Sequence, residues 1–485
     1  MIIVSITGPS MAEALQQVAA SAKYADMFEF RLDLMERPNI ARLLSSTPKP
    51  TIAACRPVRQ GGMFDGSERE RIGMLDLAAV YGARYVDIEL DVSPGILKDF
   101  VRRKKETAVI VSYHVPDGAQ FNIRQMYKTL DATGADVIKL AYVASDGHEV
   151  RYAMDFLELA LAGKRKAIAV ALGECGESSR ILYKKLGGWA TYASPEDGRP
   201  AAAGQIPASI LRNIYFSPQL DKQTRLYGVV AGPQVGKSKG IFVHNPLFQR
   251  AKLNAVYLRF SVHDLGKFMK LVGPLMSGMS VTIPHKESIM KYLDRVDSTA
   301  KAIGAVNTVV RRGGKLIGSN TDAAAALDAI EKVTRVKGKR MLIIGAGGAA
   351  RAIAYEAKLR GAEVLIGNRA KVRALKLAKD FDLEVIDLKN IARTKFDILV
   401  NATPVGMFPN VDESPVPKAV LNRKVVFDVV YNPPMTKLLR DAPSAGARIV
   451  TGTEMYIGQA AAQSELYTGV KPDKSLMRKI LARLA

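Results

Sequence analysis

The chain has 485 residues, too many for one ordinary hydrophobic core, so two or three domains are expected. Hydrophobic residues make up 48% and charged residues 24%, which excludes a disordered chain, and no apolar run approaches the ~20 residues that cross a bilayer. The net charge of +23 raises the question of a nucleic-acid partner, but the positive residues are scattered and no zinc-finger spacing or RNA-binding aromatic motif accompanies them. The one dense run, RRKKE (102–106), reads as a solvated helix end. A general field that attracts anionic substrates, or simply a solubility trait, explains the charge more cheaply, with neither nucleic acid, membrane nor metal expected. The opening MIIVSITGPS lacks the basic start of a signal peptide, and Cys55 and Cys175 cannot staple a chain of this size, so the cytoplasm is the expected compartment.

In chain order, short β-branched or apolar runs alternate with helical stretches up to about residue 215. The runs are IIVSIT (2–7), FEFRLD (28–33), TIAACR (51–56), YVDIELD (85–91), AVIVSYH (108–114), VIKLAY (137–142), AIAVAL (167–172) and ATYA (190–193). Amphipathic segments at 11–24 and 150–163 fill two of the gaps. This rhythm predicts parallel strands with crossover helices, and eight units predict a (β/α)8 barrel. The polar stretch FSPQLDKQTR (216–225) reads as a linker, and a second α/β pattern starts at LYGVVAG (226–232). From about residue 340 that pattern sharpens into strand, glycine turn, helix and strand. The tail 473–485 reads as a docked amphipathic helix.

Functional groups in such barrels lie at the C-terminal ends of strands. Those ends carry Glu29, Arg31, Arg56, Glu89, His114 and Lys139. A buried ion-pair network is the bland alternative, but so many polar groups are hard to explain by packing. A lysine held near arginines and out of water is expected to lose its proton and attack a ketone, forming a Schiff base. The protonated imine acidifies the next carbon, and His114, on the adjacent strand, is the natural base.

The stretches EFRLD (29–33), CRP…QGG (55–62), SYH (112–114), GADVIKLA (134–141), ESSRI (177–181) and AGQI (203–206) resemble the type I 3-dehydroquinate dehydratases across nearly the whole first part. The resemblance implies that Lys139 forms the imine with 3-dehydroquinate and that His114 removes the neighbouring proton and helps the hydroxyl leave. It also implies that Glu29, Arg31, Arg56, Arg180 and Gln205 hold the substrate's hydroxyls and carboxylate, a task for which the arginine fork is suited. Two positions depart from the pattern. Gln60 stands where many members have Glu, so an orienting role toward His114 falls to Glu89. Ala201 stands where many have Ser, which removes a hydroxyl from the loop before Gln205.

In the second part, MLIIGAGGAARA (341–352) is a glycine turn that follows a strand and opens a helix, the context a dinucleotide's pyrophosphate needs. The next strand ends in Asn368-Arg369, where NAD enzymes usually carry an acid. Arg369, assisted by Lys371 or Arg373, suits a 2′-phosphate, so NADP(H) is the expected cofactor. Upstream, SVTIPHK (280–286) supplies Lys286 and SNTD (319–322) supplies Asp322, a workable acid–base couple for carbonyl reduction.

These motifs, with GPQVGKSKGIFVHN (232–245), GAVNTVV (304–310), NATPVGM (401–407), DVVYNPP (428–434) and GTEMYIGQAAAQ (452–463), resemble the shikimate dehydrogenases. The order of the two halves is similar to the fused dehydratase–dehydrogenases of plants. The resemblance implies that Lys286 and Asp322 are the catalytic pair. Ser238, Thr282, Asn307, Tyr431, Gln459 and Gln463 would contact substrate, and Gly345, Gly347, Gly348, Ala349, Asn368, Arg369 and Thr403 would line the NADP site. Gly240 replaces the second Ser of the family's Ser-Lys-Ser, so a hydroxyl is lost and space is expected to open for quinate's extra hydroxyl. Ala325, where a Gly often follows Asn-Thr-Asp, bears on helix packing.

The expected architecture is thus α/β throughout: a (β/α)8 dehydratase over 1–217, a substrate lobe over 226–322 to which 453–485 returns, and a Rossmann lobe over 323–452. The expected function is dehydration of 3-dehydroquinate followed by NADPH-dependent reduction to shikimate. The alternatives are a dehydratase fused to a quinate dehydrogenase, and a regulator with a decayed site, against which the retained Lys139, His114, Lys286 and Asp322 argue.

Overall fold

The computed structural model describes residues 1–103, 106–233 and 235–484, so Lys104 and Lys105 of the basic run lie outside the described residues. The first strands are β1 (Ile2–Ile6), β2 (Met27–Arg31), β3 (Thr51–Ala54), β4 (Tyr85–Glu89), β5 (Ala108–His114), β6 (Val137–Val143), β7 (Lys166–Leu172) and β8 (Thr191–Ala193). All pair in parallel, in the order β7-β6-β5-β4-β3-β2-β1-β8, a nearly closed barrel. The crossover helices start where side chains cap them: Ser10 with Glu13, and Ser67 with Glu70, form capping boxes. Parallel register sets the chemistry in rows, with Glu89 opposite Ser112 and Ser112 opposite Lys139. Ile3, Met27, Ile52, Ile110, Val137 and Ile168 cluster with Tyr192 in one core.

The chain divides into two compact units, Met1–Ile241 with Asn254–Leu275, and Phe242–Leu253 with Met276–Ala485. The first unit therefore includes, besides the barrel, β9 (Arg225–Ala231) and β10 (Ala255–Ser261), which pair in parallel. The connection before β9 is tied down rather than free: Asn254 donates to the Asp221 carboxylate, and Thr224 donates to Asn254 Oδ1.

In the second unit, β11 (Met276–Val281), β12 (Arg295–Val296), β13 (Thr308–Arg312) and β14 (Lys315–Ser319) pair as β11-β13-β14-β12. A separate sheet of β15 (Arg340–Ile344), β16 (Glu363–Gly367), β17 (Glu384–Ile386), β18 (Ile398–Asn401), β19 (Val425–Asp428) and β20 (Arg448–Val450) runs β17-β16-β15-β18-β19-β20, all parallel. The order reverses between β15 and β18, the switch point at which such sheets bind nucleotides. Apolar clusters cover both faces of this sheet, as continuous hydrophobic strands require. The terminal helix Lys474–Ala482 docks Met477 and Leu481 against the helix Gly452–Thr468.

Candidate active sites

The barrel's interior holds a dense charge cluster. Lys139 is 4% exposed, and its Nζ donates to Asp87 Oδ2 at 2.8 Å and lies 3.8 Å from Glu29 Oε1. The ammonium also sits 4.2 Å from the centre of the Tyr192 ring. Carboxylates, not the expected arginines, are thus the nearest charged groups to this amine. Asp87 is the residue that sequence reasoning missed. It lies two before Glu89 on β4, so both acids face inward, and that spacing was a readable signal. Despite burial, Lys139 and Arg56 hold the Asp87 carboxyl well below the usual range.

Arg56, just beyond β3, is the hub. It reaches Asp87 at 3.2 Å, Glu89 at 3.3 Å and His114 Nδ1 at 2.9 Å. Burial, then the Arg56 and Lys139 cations, lower the His114 pKa well below 6.5. Glu89 also pairs with Arg71, a fully buried side chain delivered by a crossover helix. Burial pushes the Glu89 carboxyl up, against the pull of Arg56. Glu89 thus reaches His114 only through Arg56. Gln60 keeps a direct hold: its Oε1 accepts from the His114 backbone N–H at 2.9 Å while its Nε2 donates to Asp91. The accepting half of this is open to a carboxylate too, but the donation to Asp91 needs the amide.

The other predicted dehydratase residues divide. Glu29 accepts from Ser5 Oγ at 2.8 Å, and its second oxygen has no hydrogen-bond partner among the described residues. Arg31 is committed to a two-pronged bond with Asp33. Arg180 is fully buried, donates to the Ala203 carbonyl, and has its pKa lowered to about 10 by burial. Gln205 accepts from the Ala201 amide and donates to Ser5. Between them Gly204, with φ +76°, packs so close that a Cβ would lie 2.3 Å from the Gly173 carbonyl.

Ser238, in the first unit, accepts the Gly240 amide on its Oγ at 3.3 Å. The space expected at Gly240 is filled: a Cβ there would meet Tyr257 Cε1 at 2.9 Å. The β10 ring and the Ser238 hydroxyl, 3.3 Å from the same point, crowd the position a side chain would take.

In the second unit, Lys286 Nζ donates to Asp322 Oδ2 at 2.6 Å, both largely buried. Asn320 fixes Asp322 by accepting its backbone N–H. Asn307 and Gln463 form an internal network: Asn307 holds Thr321, and Gln463 donates to the Asn307 carbonyl and to Thr308 while accepting from Ser280. Their side chains therefore brace the Asp322 segment. Tyr431 stacks on Tyr456 at 4.7 Å, Gln459 donates to the Tyr456 carbonyl at 3.2 Å, and Thr282 follows β11 as a half-buried residue.

The glycine turn fits a dinucleotide. Gly345 has φ +121° and approaches the Ala402 carbonyl within 2.9 Å of a would-be Cβ. The helix Gly348–Leu359 begins without a side-chain cap, which leaves its first backbone N–H groups, including that of Ala349, to an anion. A Cβ on Gly348 would lie 3.4 Å from Lys286 Cδ, so the lysine stem borders the turn. Thr403 is held by Asn401, Asn368 donates to the Ala370 carbonyl, and Arg369 is exposed.

A buried amine beside a histidine in a barrel defines a Schiff-base lyase, and a Lys–Asp pair at a Rossmann turn defines a carbonyl reductase. Family models match in the same order: type I 3-dehydroquinase at residues 2–222, shikimate dehydrogenase substrate binding domain at 230–309, shikimate/quinate 5-dehydrogenase at 328–431, and the shikimate 5′-dehydrogenase C-terminal domain at 452–482. The bifunctional 3-dehydroquinate dehydratase/shikimate dehydrogenase of Arabidopsis thaliana, named chloroplastic, is 35% identical over 99% of this chain and 84% of its own. The shikimate dehydrogenase (NADP+) of Pyrococcus abyssi is 41% identical over 53% of this chain and 97% of its own. A Thermus thermophilus shikimate 5-dehydrogenase structure with NADP(H) and shikimate superposes with TM-score 0.50 and 34% identity over 54% of this chain and all of that one. The chain belongs to the family of bifunctional 3-dehydroquinate dehydratase/shikimate dehydrogenases.

Proposed function

We infer that the chain converts 3-dehydroquinate to 3-dehydroshikimate and then to shikimate, with residues 1–217 as dehydratase, 226–322 with 453–485 as substrate lobe and 323–452 as NADP lobe. What supports the reading is that Lys139 and His114, on neighbouring strands and linked through Asp87 and Arg56, occur in one chain with the Lys286–Asp322 pair. In the dehydratase, Lys139 gives up its ammonium proton, its neutral amine attacks the ketone and water leaves as the imine forms; after the elimination a water hydrolyses the product imine and frees the lysine. His114 takes the proton from the adjacent carbon and returns it to the departing hydroxyl. Arg56, Arg180, Glu29, Arg31 and Gln205 hold the substrate's carboxylate and hydroxyls. For Arg31 this requires sharing its fork with Asp33.

In the reductase, Lys286 and Asp322 deliver a proton to the carbonyl oxygen, and Ser238, Thr282, Asn307, Tyr431, Gln459 and Gln463 orient the substrate. Gly345, Gly347, Gly348, Ala349, Asn368, Arg369 and Thr403 would hold NADPH, whose chemistry there is hydride donation. Shikimate is proposed as the second product, in line with a dehydratase that supplies its precursor on the same chain, and Tyr257 narrows the room beside Gly240. No helix among the described residues is long and apolar enough to cross a membrane. The cytoplasm is the proposed compartment, in keeping with two free thiols. The test is a coupled assay: 3-dehydroquinate with NADPH should give steady loss of NADPH absorbance and shikimate as product. Dehydration without NADPH loss would sink the second half of the reading.

A further inference from the structure

The segment after β7 carries two acids that the dehydratase steps above do not use as proton carriers or substrate contacts. Glu174 Oε1 accepts the Gly236 backbone N–H at 2.8 Å. Glu177, buried at the start of the helix Glu177–Leu182, lies 3.9 Å from Arg259 on β10 and accepts from Tyr215 Oη at 2.6 Å. Arg259 in turn places Nε and Nη2 on one acceptor, the Ser238 carbonyl, at 3.2 and 2.7 Å. Gly236 and Ser238 belong to the same loop. Two acids of the barrel thus grip that loop at two points, one directly and one through an arginine. The neighbouring loop after β6 holds the segment that follows β10, with Asp146 Oδ2 accepting the His263 and Asp264 amides at 3.0 and 2.7 Å. Gly147 is pressed so close to β10 that a Cβ would lie 2.7 Å from the Ser261 carbonyl.

A backbone carbonyl bound by two guanidinium N–H groups has little freedom to rotate, so the direction of the Ser238 side chain is set by Arg259. Arg259 is itself mostly buried, and Glu177 is its acidic neighbour there. We propose that Arg259 is a positioning residue for the reductase's substrate-carboxylate contact at Ser238, and that the dehydratase segment supplies the acids, Glu177 and Glu174, that hold this contact in place. The proposal rests on the reading of Ser238 as a substrate contact. It makes the fusion functional: the barrel builds part of the support of the second site. A reductase half expressed alone lacks Glu174 and Glu177.

The test is shikimate oxidation by the full chain with NADP+. Arg259→Met should raise KM for shikimate about tenfold, the loss expected for a charge-assisted contact, while kcat and KM for NADP+ stay within about twofold. Arg259→Lys, which keeps one donor and the charge, should recover part of the loss. Dehydratase kcat/KM should be unchanged in both. Should Arg259→Met fail to fold, Glu174→Ala removes only an exposed side chain and should raise the same KM about threefold. Ser238→Ala is the reference. If it raises KM while Arg259→Met and Glu174→Ala do not, the proposal is overturned and the site reading stands. If Ser238→Ala leaves KM untouched, both fall.

Discussion

Gly240→Ser restores the hydroxyl that related reductases carry, and sequence alone argues that it should tighten shikimate binding. The structure argues the opposite for the single substitution. The backbone at 240 is not in the left-handed region, so no conformational strain opposes a side chain, and leaving glycine at the start of a helix gains roughly 0.5 kcal/mol. The new Cβ would lie 2.9 Å from Tyr257 Cε1 and 3.4 Å from Cζ, both atoms of a ring that is 2% exposed. A buried ring cannot swing aside freely, and overpacking of this kind costs about 1–3 kcal/mol. The steric cost outweighs the propensity gain. Gly240→Ser should lower the urea midpoint and leave KM for shikimate unimproved. Tyr257→Leu removes the obstructing ring. In the double variant the serine should fit, and its destabilisation should fall short of the sum of the singles by at least about 1 kcal/mol. Shikimate KM should drop below that of Tyr257→Leu alone. Additive effects, or a neutral single substitution, would refute the claim that Tyr257 occupies this space.

Borohydride added with 3-dehydroquinate should fix a mass adduct on the peptide containing Lys139; turnover with the adduct elsewhere would displace Lys139 from its role. Arg369→Ala should weaken NADPH relative to NADH by about ten- to a hundredfold, the worth of roughly 1.5–3 kcal/mol, read as the ratio of cofactor KM values; no change would assign the 2′-phosphate to another group. Arg478 and Lys332, against the opposing effect of burial, hold the Glu454 carboxyl at about 2 rather than 4.5. A depressed folded-state pKa stabilises above the unfolded value, so this contribution is present above pH 4.5 and lost as pH falls toward 2. Because the carboxylate is only half-buried and its partners lie in solvent, the effect is discounted to about 1 kcal/mol or less. Glu454→Gln should flatten acid unfolding in that window, and an unchanged acid profile would remove the claim.

The barrel was legible because a parallel strand buried on both faces reads as a continuous apolar run, and its interruptions mark inward-facing chemistry. Lys139 and His114 stood out in this way, and the glycine turn stood out because its context was complete on both sides. What stayed hidden depends on side chains meeting across distant segments. Arg71 reaches Glu89 from a helix on the barrel's outside, and nothing in ERERIGM marks that arginine as buried. Asn307 and Gln463, proposed as substrate contacts, are also tied to each other and to Thr321 and Thr308, a bracing role that the motifs do not show. Gly240 looked like open space because a sequence shows the atom that is missing and not the ring that replaces it. The basic crowd expected around Lys139 failed for a related reason: Arg56 is present, but Asp87 comes between it and the amine.

The same cage fixes how His114 can act. A guanidinium only donates hydrogen bonds, so the 2.9 Å contact from Arg56 requires a lone pair on His114 Nδ1. The neutral ring then carries its proton on Nε2. Burial, Arg56 and Lys139 all oppose a second proton, and Asp87 favours one less strongly, so the ring stays neutral well below pH 6.5. A base needs a free lone pair toward the substrate, so Arg56 must give up Nδ1 when substrate binds. An incoming carboxylate is the partner that draws a guanidinium away. The ligand-free protein should therefore show a His114 ring that titrates well below 6.5 by NMR, as the Nε2–H tautomer. Lys139→Met removes one opposing cation and should move that titration upward. A ring titrating at or above 6.5 in the unmodified protein would mean that Arg56 does not hold Nδ1, and the order of events derived from it would fail.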